Sequence, residues 1–552
     1  MTDTSTECPP AGVLADEARK HYRLLRIGLL ALLALACAYP FTLNIADPDL
    51  WGHVRYAQDW LAAGELPRTA THTFTAVGYP WVNHENIAEL LFAVSYEHIG
   101  VYGMLVAKCL LGMAIMATMA WMAMRKGVPA VSAWVLLLIV ATNLHGFFTM
   151  RPQLLSFALC TMALICLERA FPNWPEERIV RFKWLWPLPA IVVLWVNSHG
   201  GFMAGLCIIG ALLLGRMIEL WLHEGRASFP RQVHIAAVGL SCLAATIVNP
   251  YGFGMIEWLY YSWGGAPPEI TEWAPLTPDK PMFWSFMTLL VVAMGSLAGT
   301  RRKRDWVQIV ILTLVAWQTL LHLRHLAFVA LLCGAWLPVH WHSALVRLRP
   351  DRDKPLPIVL PNLWFRLVMA AGILVGVVAQ SISLANRLSS LPVERSMYPV
   401  DAFQYMVDNR LQGKLVCAFN WAQYAIAALA PEVTVGFDGR FDTCYPQEAI
   451  DIHFDFLLSK SERRERRPDA GPIDGTRVLE YYSPDLVLFD RRYEHCVATM
   501  QSKSDEWSLL YSDSISELWG RASRYDDPAS PHYLPPEARK HKVRLLEAKF
   551  QW

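Results

Sequence analysis

Long apolar runs broken by short polar connections fill the first 384 residues, and shorter alternations take over after that point. The hydrocarbon core of a bilayer is about 30 Å thick, so a spanning helix needs roughly 20 mostly apolar residues. Runs of that kind lie near 26–45, 101–123, 129–148, 153–171, 185–199, 202–222, 232–249, 282–299, 306–322, 325–340 and 362–384. They predict a polytopic α-helical membrane protein with about 11 transmembrane helices. The stretch 86–99 is apolar but short, and reads as a re-entrant or interfacial helix. Beyond residue 384, the segments 415–419, 433–437 and 486–489 read as short strands, and 401–409 and 421–429 as helices. That alternation predicts a small C-terminal α/β domain. The run 460–467, rich in Ser, Glu and Arg, reads as a solvated loop. Three parts follow: an N-terminal segment 1–25, a membrane domain 26–384 with a long loop at 46–85, and a soluble domain 385–552.

Charge orients these spans. Arg19, Lys20, Arg23 and Arg26 precede the first run, and Arg125 with Lys126 follow the second. Further clusters are Arg178, Arg181 and Lys183; Arg226 and Arg231; the basic run 301–304; and Arg347, Arg349, Arg352 and Lys354. All of them fall on one side, which the positive-inside rule assigns to the cytoplasm. The N-terminus is then cytoplasmic, and the C-terminal domain periplasmic or extracellular, in a multi-pass protein of a cell inner membrane. The first run is too long for a cleaved signal peptide and reads as a retained anchor. With 54% hydrophobic and only 18% charged residues, the chain departs from soluble enzymes of its length. A net charge of +1 with no basic face argues against nucleic acid, and the 23 tryptophans suit a membrane–water boundary. The cysteines show no metal-ligand spacing. Those in apolar runs read as small hydrophobes, and a disulfide among Cys417, Cys444 and Cys496 stays open.

The unusual polar residues collect on the outer connections. The first loop holds Asp47, Asp49, His53, Arg55, His84 and Glu85; the next holds Arg151; then come His199, Glu272, and finally His322, Arg324 and His325. Ionisable groups at membrane depth are costly and usually pair or serve function. Each also has a plain structural reading. Asp47 and Asp49 are suited to cap a helix, Glu85 to open one, and Arg151 to snorkel before Pro152. His199 beside two glycines reads as a turn, and Glu272 as a partner of Lys280. Lys108, inside the second run, reads as snorkelling outward or meeting a lipid phosphate. Taken together, carboxylates can serve as general base or hold Mg²⁺ or Mn²⁺, with Asp49 the ligand if one binds. Arginine forks match phosphate oxygens.

The stretch Asp49-Leu50-Trp51-Gly52-His53-Val54-Arg55 resembles the Asp-Pro-Trp-x-x-x-Arg motif of oligosaccharyltransferase catalytic subunits, with Asp49, Trp51 and Arg55 at matching places. Residues 57–67 resemble the helix and turn of protein-mannosyltransferase-like proteins. The whole of 46–100 resembles uncharacterised bacterial members of the GT-C class of membrane glycosyltransferases. That resemblance implies sugar transfer from a polyprenyl-phosphate-linked donor to a glycan, lipid or protein acceptor, with Asp49 as the catalytic or metal-binding carboxylate; the gathering of polar residues adds Asp47 and Glu85 as candidate catalytic acids. The same gathering makes His53, Arg55, His84, Lys108, Arg151, His199, Glu272, His322, Arg324 and His325 candidates for donor or acceptor contacts. Two departures stand out. The second outer loop lacks an Asp-x-Asp or Glu-x-Asp pair. Trp421-Ala422-Gln423-Tyr424-Ala425 echoes the family's Trp-Trp-Asp-Tyr-Gly without its Asp, which points away from glycosylation-sequon recognition. The alternatives are a transporter, for which internal repeats and mid-membrane charges are wanting, and a non-catalytic scaffold with an outer binding domain.

Overall fold

The computed structural model describes residues 11–262, 269–348, 362–460 and 466–543. Arg349, Arg352 and Lys354 of the last basic cluster lie outside those residues, as does most of the expected loop at 460–467. The N-terminal part is helical: α1 (Ala11–Ala38), α2 (Leu50–Ala63), α3 (Asn86–Arg125), α4 (Ala130–Leu144), α5 (Gln153–Ala170), α6 (Pro187–Val196) and α7 (Phe202–Glu224). There follow α8 (Phe229–Ala245), α9 (Gly254–Ser262), α10 (Pro281–Gly299), α11 (Trp306–Leu321), α12 (Leu326–Trp336), α13 (Pro338–Arg347) and α14 (Leu363–Leu388).

Among the described residues 7 segments are long and apolar enough to cross a membrane, or 8 if α12 and α13, bent by 60° at their junction, form one broken span. Every run read from the sequence coincides with a helix or a helix pair. The lower count arises because Phe202–Ala245, which holds both α7 and α8, is one candidate, and because Phe182–Val196 and Trp306–Leu321 are short. The stretch 86–99 forms the first part of α3 and is set off from the following span by a kink at Gly100, whose φ of +62° a side chain would strain. α14 is suited to a lipid environment. None of its most apolar window is buried, and Leu374 and Val375 stand exposed along it. An apolar surface of that extent is stable against hydrocarbon, where helices satisfy their own backbone bonds.

The C-terminal part is an α/β domain. Its elements are α15 (Val400–Asp408), β1 (Gly413–Cys417), α16 (Ala422–Leu429), β2 (Val433–Val435), α17 (Gln447–Leu458), α18 (Arg477–Glu480), β3 (Leu486–Asp490), α19 (Glu494–Ser502), β4 (Trp507–Asp513), β5 (Ser516–Arg521) and β6 (Lys540–Val543). The six-stranded sheet runs β2-β1-β3-β5-β4-β6, parallel through β2, β1 and β3 and antiparallel from β3 to β5 and β5 to β4. β3 lies at its centre, with Leu486, Val487, Leu488 and Phe489 fully buried. Cys417, Cys444 and Cys496 are buried free thiols, so no disulfide joins them. The described end of the expected solvated loop is anchored, with Arg466 on the buried Asp455 at 3.0 Å and Arg467 on Asp451 at 3.3 Å.

Loop 46–85 is the layer between bundle and sheet. Its backbone extends the open edge of β2: Phe74 N–H donates to the Val435 carbonyl at 3.2 Å, and Val435 N–H to the His72 carbonyl at 2.9 Å. Covering an edge strand in this way removes unpaired backbone groups. Trp51, fully buried, stacks on Tyr424 of α16 with ring centroids 4.5 Å apart. Arg440 holds Asp438 at 2.7 Å and the Thr71 carbonyl at 2.7 Å, and its guanidinium lies over Tyr56 and Trp81. The Asp438-Gly439-Arg440 turn thus carries a local ion pair that also clamps the loop to the domain.

Candidate active site

Asp49 takes the N-cap position of α2, yet its side chain makes no capping bond. The carboxylate turns instead to Arg151, which stands in the connection before α5. The Arg151 fork serves three acids from two connections. Its Nε donates to Asp47 Oδ1 at 2.6 Å, its Nη2 lies 3.0 Å from Asp49 Oδ2, and its Nη1 donates to Glu272 Oε1. Asp47 is buried and also accepts the Asp49 N–H at 3.1 Å, so it fixes the turn as well as the arginine. Burial raises the Asp49 carboxyl above the usual range, and the Arg151 charge opposes that rise. Glu272 is committed to Arg151 rather than to Lys280, whose ammonium binds the Pro275 carbonyl.

Glu85 repeats the arrangement at α3, occupying the N-cap without a side-chain cap bond. Three imidazoles surround it: His53 at 3.9 Å, His84 at 4.0 Å and His199 at 4.0 Å. Both carboxylates therefore sit at helix N-termini, where the dipole favours negative charge. Burial, with the nearby charges of Glu89 and Asp49, outweighs the attraction of His53 and pushes the Glu85 carboxyl up to about 7. Burial alone would lower His53. Its 3.2 Å bond to Glu89 and the charges of Glu85, Glu89 and Asp49 hold it at about 9 instead. His53 is thus an imidazolium at neutral pH. Burial and the charges of Arg324 and His53 press His84 down to about 4, and its ring stacks on Trp258. His199 is likewise lowered by burial and by Arg324. Its Nδ1 accepts from Gly201 N–H at 3.0 Å and lies 2.8 Å from Ser156 Oγ, which leaves its proton on Nε2, facing Glu85.

Arg324 lies over the Trp273 ring at 4.2 Å and feels Glu272, Glu85 and Arg151 electrostatically. Among the described residues no carboxylate pairs with it within 4 Å. His322 Nδ1 donates to the Trp273 carbonyl at 2.8 Å and meets His325 edge-on, so these two histidines shape the turn that presents Arg324. Two expected residues lie elsewhere. Arg55 pairs along its own helix with Asp59 at 3.1 Å. Lys108 neither snorkels nor reaches the surface: it is buried and donates to the carbonyls of Leu43 and Phe148, tying two irregular chain segments.

The α/β domain closes one wall. A Cβ on Gly439 would stand 2.5 Å from Asp49 Oδ1 and 2.6 Å from Gln423 Nε2, and one on Gly52 would stand 2.3 Å from Gln423 Oε1. Sequence reasoning missed this contact, which joins positions far apart in the chain. It also missed Glu89 and Ser156. Glu89 carried a signal, an acid four residues beyond Glu85 and so on the same helix face. Among the described residues no group of three or more His, Cys, Asp or Glu side chains is placed to hold a metal ion. Asp47, Asp49 and Glu272 converge on a guanidinium, which supplies the countercharge a divalent cation would otherwise provide. The donor set does not fit a Mg²⁺ or Mn²⁺ site.

An apolar helical bundle with an α/β domain docked over its polar end is a fold that a solved structure shares. The particular likeness is to the crystal structure of ArnT from Cupriavidus metallidurans bound to undecaprenyl phosphate, with a TM-score of 0.52 over 93% of this chain and 99% of that chain. At 10% sequence identity the likeness establishes the fold. No protein-family model matches the chain, and no curated protein sequence does.

Proposed function

We propose that the protein transfers a sugar from a polyprenyl-phosphate-linked donor to an acceptor hydroxyl or amine at the non-cytoplasmic face of a cell inner membrane. The observation that carries this reading is the meeting of Asp49 and Glu85 with Arg151 and Arg324 at one end of the bundle. The basic clusters occupy the other end, which orients the site outward. The ArnT crystal structure, with its undecaprenyl phosphate, supports the lipid class of the donor.

In this reaction Asp49 takes the proton of the acceptor O–H or N–H as its lone pair attacks the anomeric carbon. The bond between that carbon and the phosphate oxygen breaks, and its electron pair leaves with the polyprenyl phosphate, which gains one negative charge. Arg324, with no carboxylate of its own, receives that charge as a planar fork. Arg151 holds Asp49 in place. A second reading exchanges the acids, because a carboxyl poised near 7 amid three imidazoles suits Glu85 as the base.

The test is turnover of polyprenyl-phosphate sugars by purified protein in liposomes, for wild type, Asp49→Asn and Glu85→Gln. A loss on the order of 100-fold in Asp49→Asn with unaltered folding is the expected result. Wild-type turnover in Asp49→Asn with loss in Glu85→Gln transfers the role to Glu85. Wild-type turnover in both, or solute movement across the vesicle without sugar transfer, overturns the reading.

A further inference from the structure

The end of the bundle away from Asp49 holds a second site-like feature. The last turn of α3, the end of α5, the middle of α7, the α10–α11 connection and the α12–α13 bend enclose a cavity of about 180 Å³. A single water needs roughly 10–15 Å³, so the space admits a larger group. The wall is basic: Arg125, Lys126, Arg216, Arg302 and Lys303 line it, against Glu168, Glu176 and Asp305. Internal pairs absorb part of that charge. Arg216 is 1% exposed and donates to Asp305 at 3.0 Å and Glu219 at 2.7 Å, while Lys126 pairs with Glu168. What is left over is cationic. Arg302 and Lys303 have no ion pair among the described residues, and Arg125 lies over the Trp121 ring at 5.2 Å. Glu176 alone stands against those three. The buried Arg216 Nε also lacks a hydrogen-bond partner.

A cavity with surplus guanidinium and ammonium groups, set where several spans end, has the chemistry of a phosphate receptor. Arginine forks match phosphate oxygens, and basic pockets between spans at the headgroup level take anionic lipids. We infer that this cavity binds a phosphate ester, the headgroup of an anionic phospholipid in the leaflet at that end. The inference is independent of the sugar-transfer reading, since it uses none of the residues around Asp49.

The experiment uses the full chain in phosphatidylcholine nanodiscs, titrated with phosphatidylglycerol and, separately, with inorganic phosphate, with bound lipid read by native mass spectrometry. Phosphatidylglycerol is expected to bind, and the double variant Arg302→Gln/Lys303→Gln to weaken it roughly tenfold or more. Arg226→Gln, a basic residue on the α7–α8 connection that does not line the cavity, is expected to leave affinity unchanged. Competition by inorganic phosphate with loss in the double variant also supports the site and assigns it to a soluble phosphate ester. Equal uptake by wild type and the double variant, or an equal loss in Arg226→Gln, overturns the inference.

Discussion

Replacing Arg151 with methionine removes the cation that Asp47, Asp49 and Glu272 share while keeping much of the side-chain volume. The side chain of Asp47 is 5% exposed, and those of Asp49 and Glu272 are 30% and 33% exposed. Breaking a buried ion pair from one side typically costs about 3–5 kcal/mol. Because water can reach two of the three acids, the lower end, about 3 kcal/mol, is expected here. The cost must depend on pH in a definite direction. Burial already lifts the Asp49 carboxyl above its ordinary value, and Arg151 is the main force holding it down. Without the guanidinium it rises further. An acid whose native pKa lies above its unfolded value weakens the fold at pH above that native pKa, and the penalty disappears as pH falls through it. The variant should therefore lag wild type most at the alkaline end of the range, and the gap should narrow towards the acid end as Asp49 takes up a proton. Unfolding midpoints of the purified full-length protein in detergent, followed by tryptophan fluorescence from pH 5 to 8, measure this directly. Adding Asp47→Asn to the variant should restore part of the loss at pH 8. A gap that stays constant across the range, with no recovery in the double variant, would show that packing rather than charge accounts for the effect and would refute the reasoning.

The remaining expectations concern the second acid and the wall of the site. If Glu85 is ionised and His53 charged in the working enzyme, kcat/KM should rise with pH through about 7 and fall through about 9. Removing Glu89 should move the alkaline fall to lower pH, because Glu89 is a main support of the His53 charge; a fixed alkaline limb in Glu89→Gln counts against it. Gly439→Ala should impair turnover and cost about 1–3 kcal/mol, since the new methyl group meets Asp49 and Gln423; a fully active, equally stable variant would deny the contact. Trp51→Ala should cost about 3–5 kcal/mol and make the α/β domain more sensitive to protease, because it empties the stack on Tyr424.

What the sequence disclosed follows from how local each signal is. The apolar runs and basic clusters are local, so the spans and the gathering of polar residues at one end of them could both be read from the chain. Asp47, Asp49, Arg151 and Glu272 were each named from one connection, and the alternating path of the chain brings those connections together. The three strands read from sequence hold Leu, Val and Phe in short runs. β4 and β5 escaped because their register shifts between Leu509 and Tyr511, which breaks the two-residue alternation. Arg55 and Lys108 show the limit on the other side. Each matched an expected chemistry, but Asp59 lies one turn along the helix from Arg55, and two carbonyls at irregular chain segments claim the Lys108 ammonium. Trp51 matched a family motif, and its place is packing against Tyr424, a partner more than 370 residues away in the chain.

The two acids share a feature that neither their spacing nor their type reveals. Asp49 and Glu85 each occupy the position where a carboxylate ordinarily caps its own helix, and neither does so. A capping bond would satisfy a backbone N–H and add about 1 kcal/mol of stability. Forgoing it leaves one oxygen pair free to face Arg151 in one case and three imidazoles in the other, while the positive end of each helix still lowers the cost of holding the charge. Stability left unrealised at two neighbouring helix starts, on a loop fastened on one side to the bundle and on the other to β2 and Arg440, is what the proposed proton transfer would require. Arg151 holds Asp49 through Oδ2 and leaves Oδ1 outside that ion pair, while the imidazoles of His53, His84 and His199 surround Glu85.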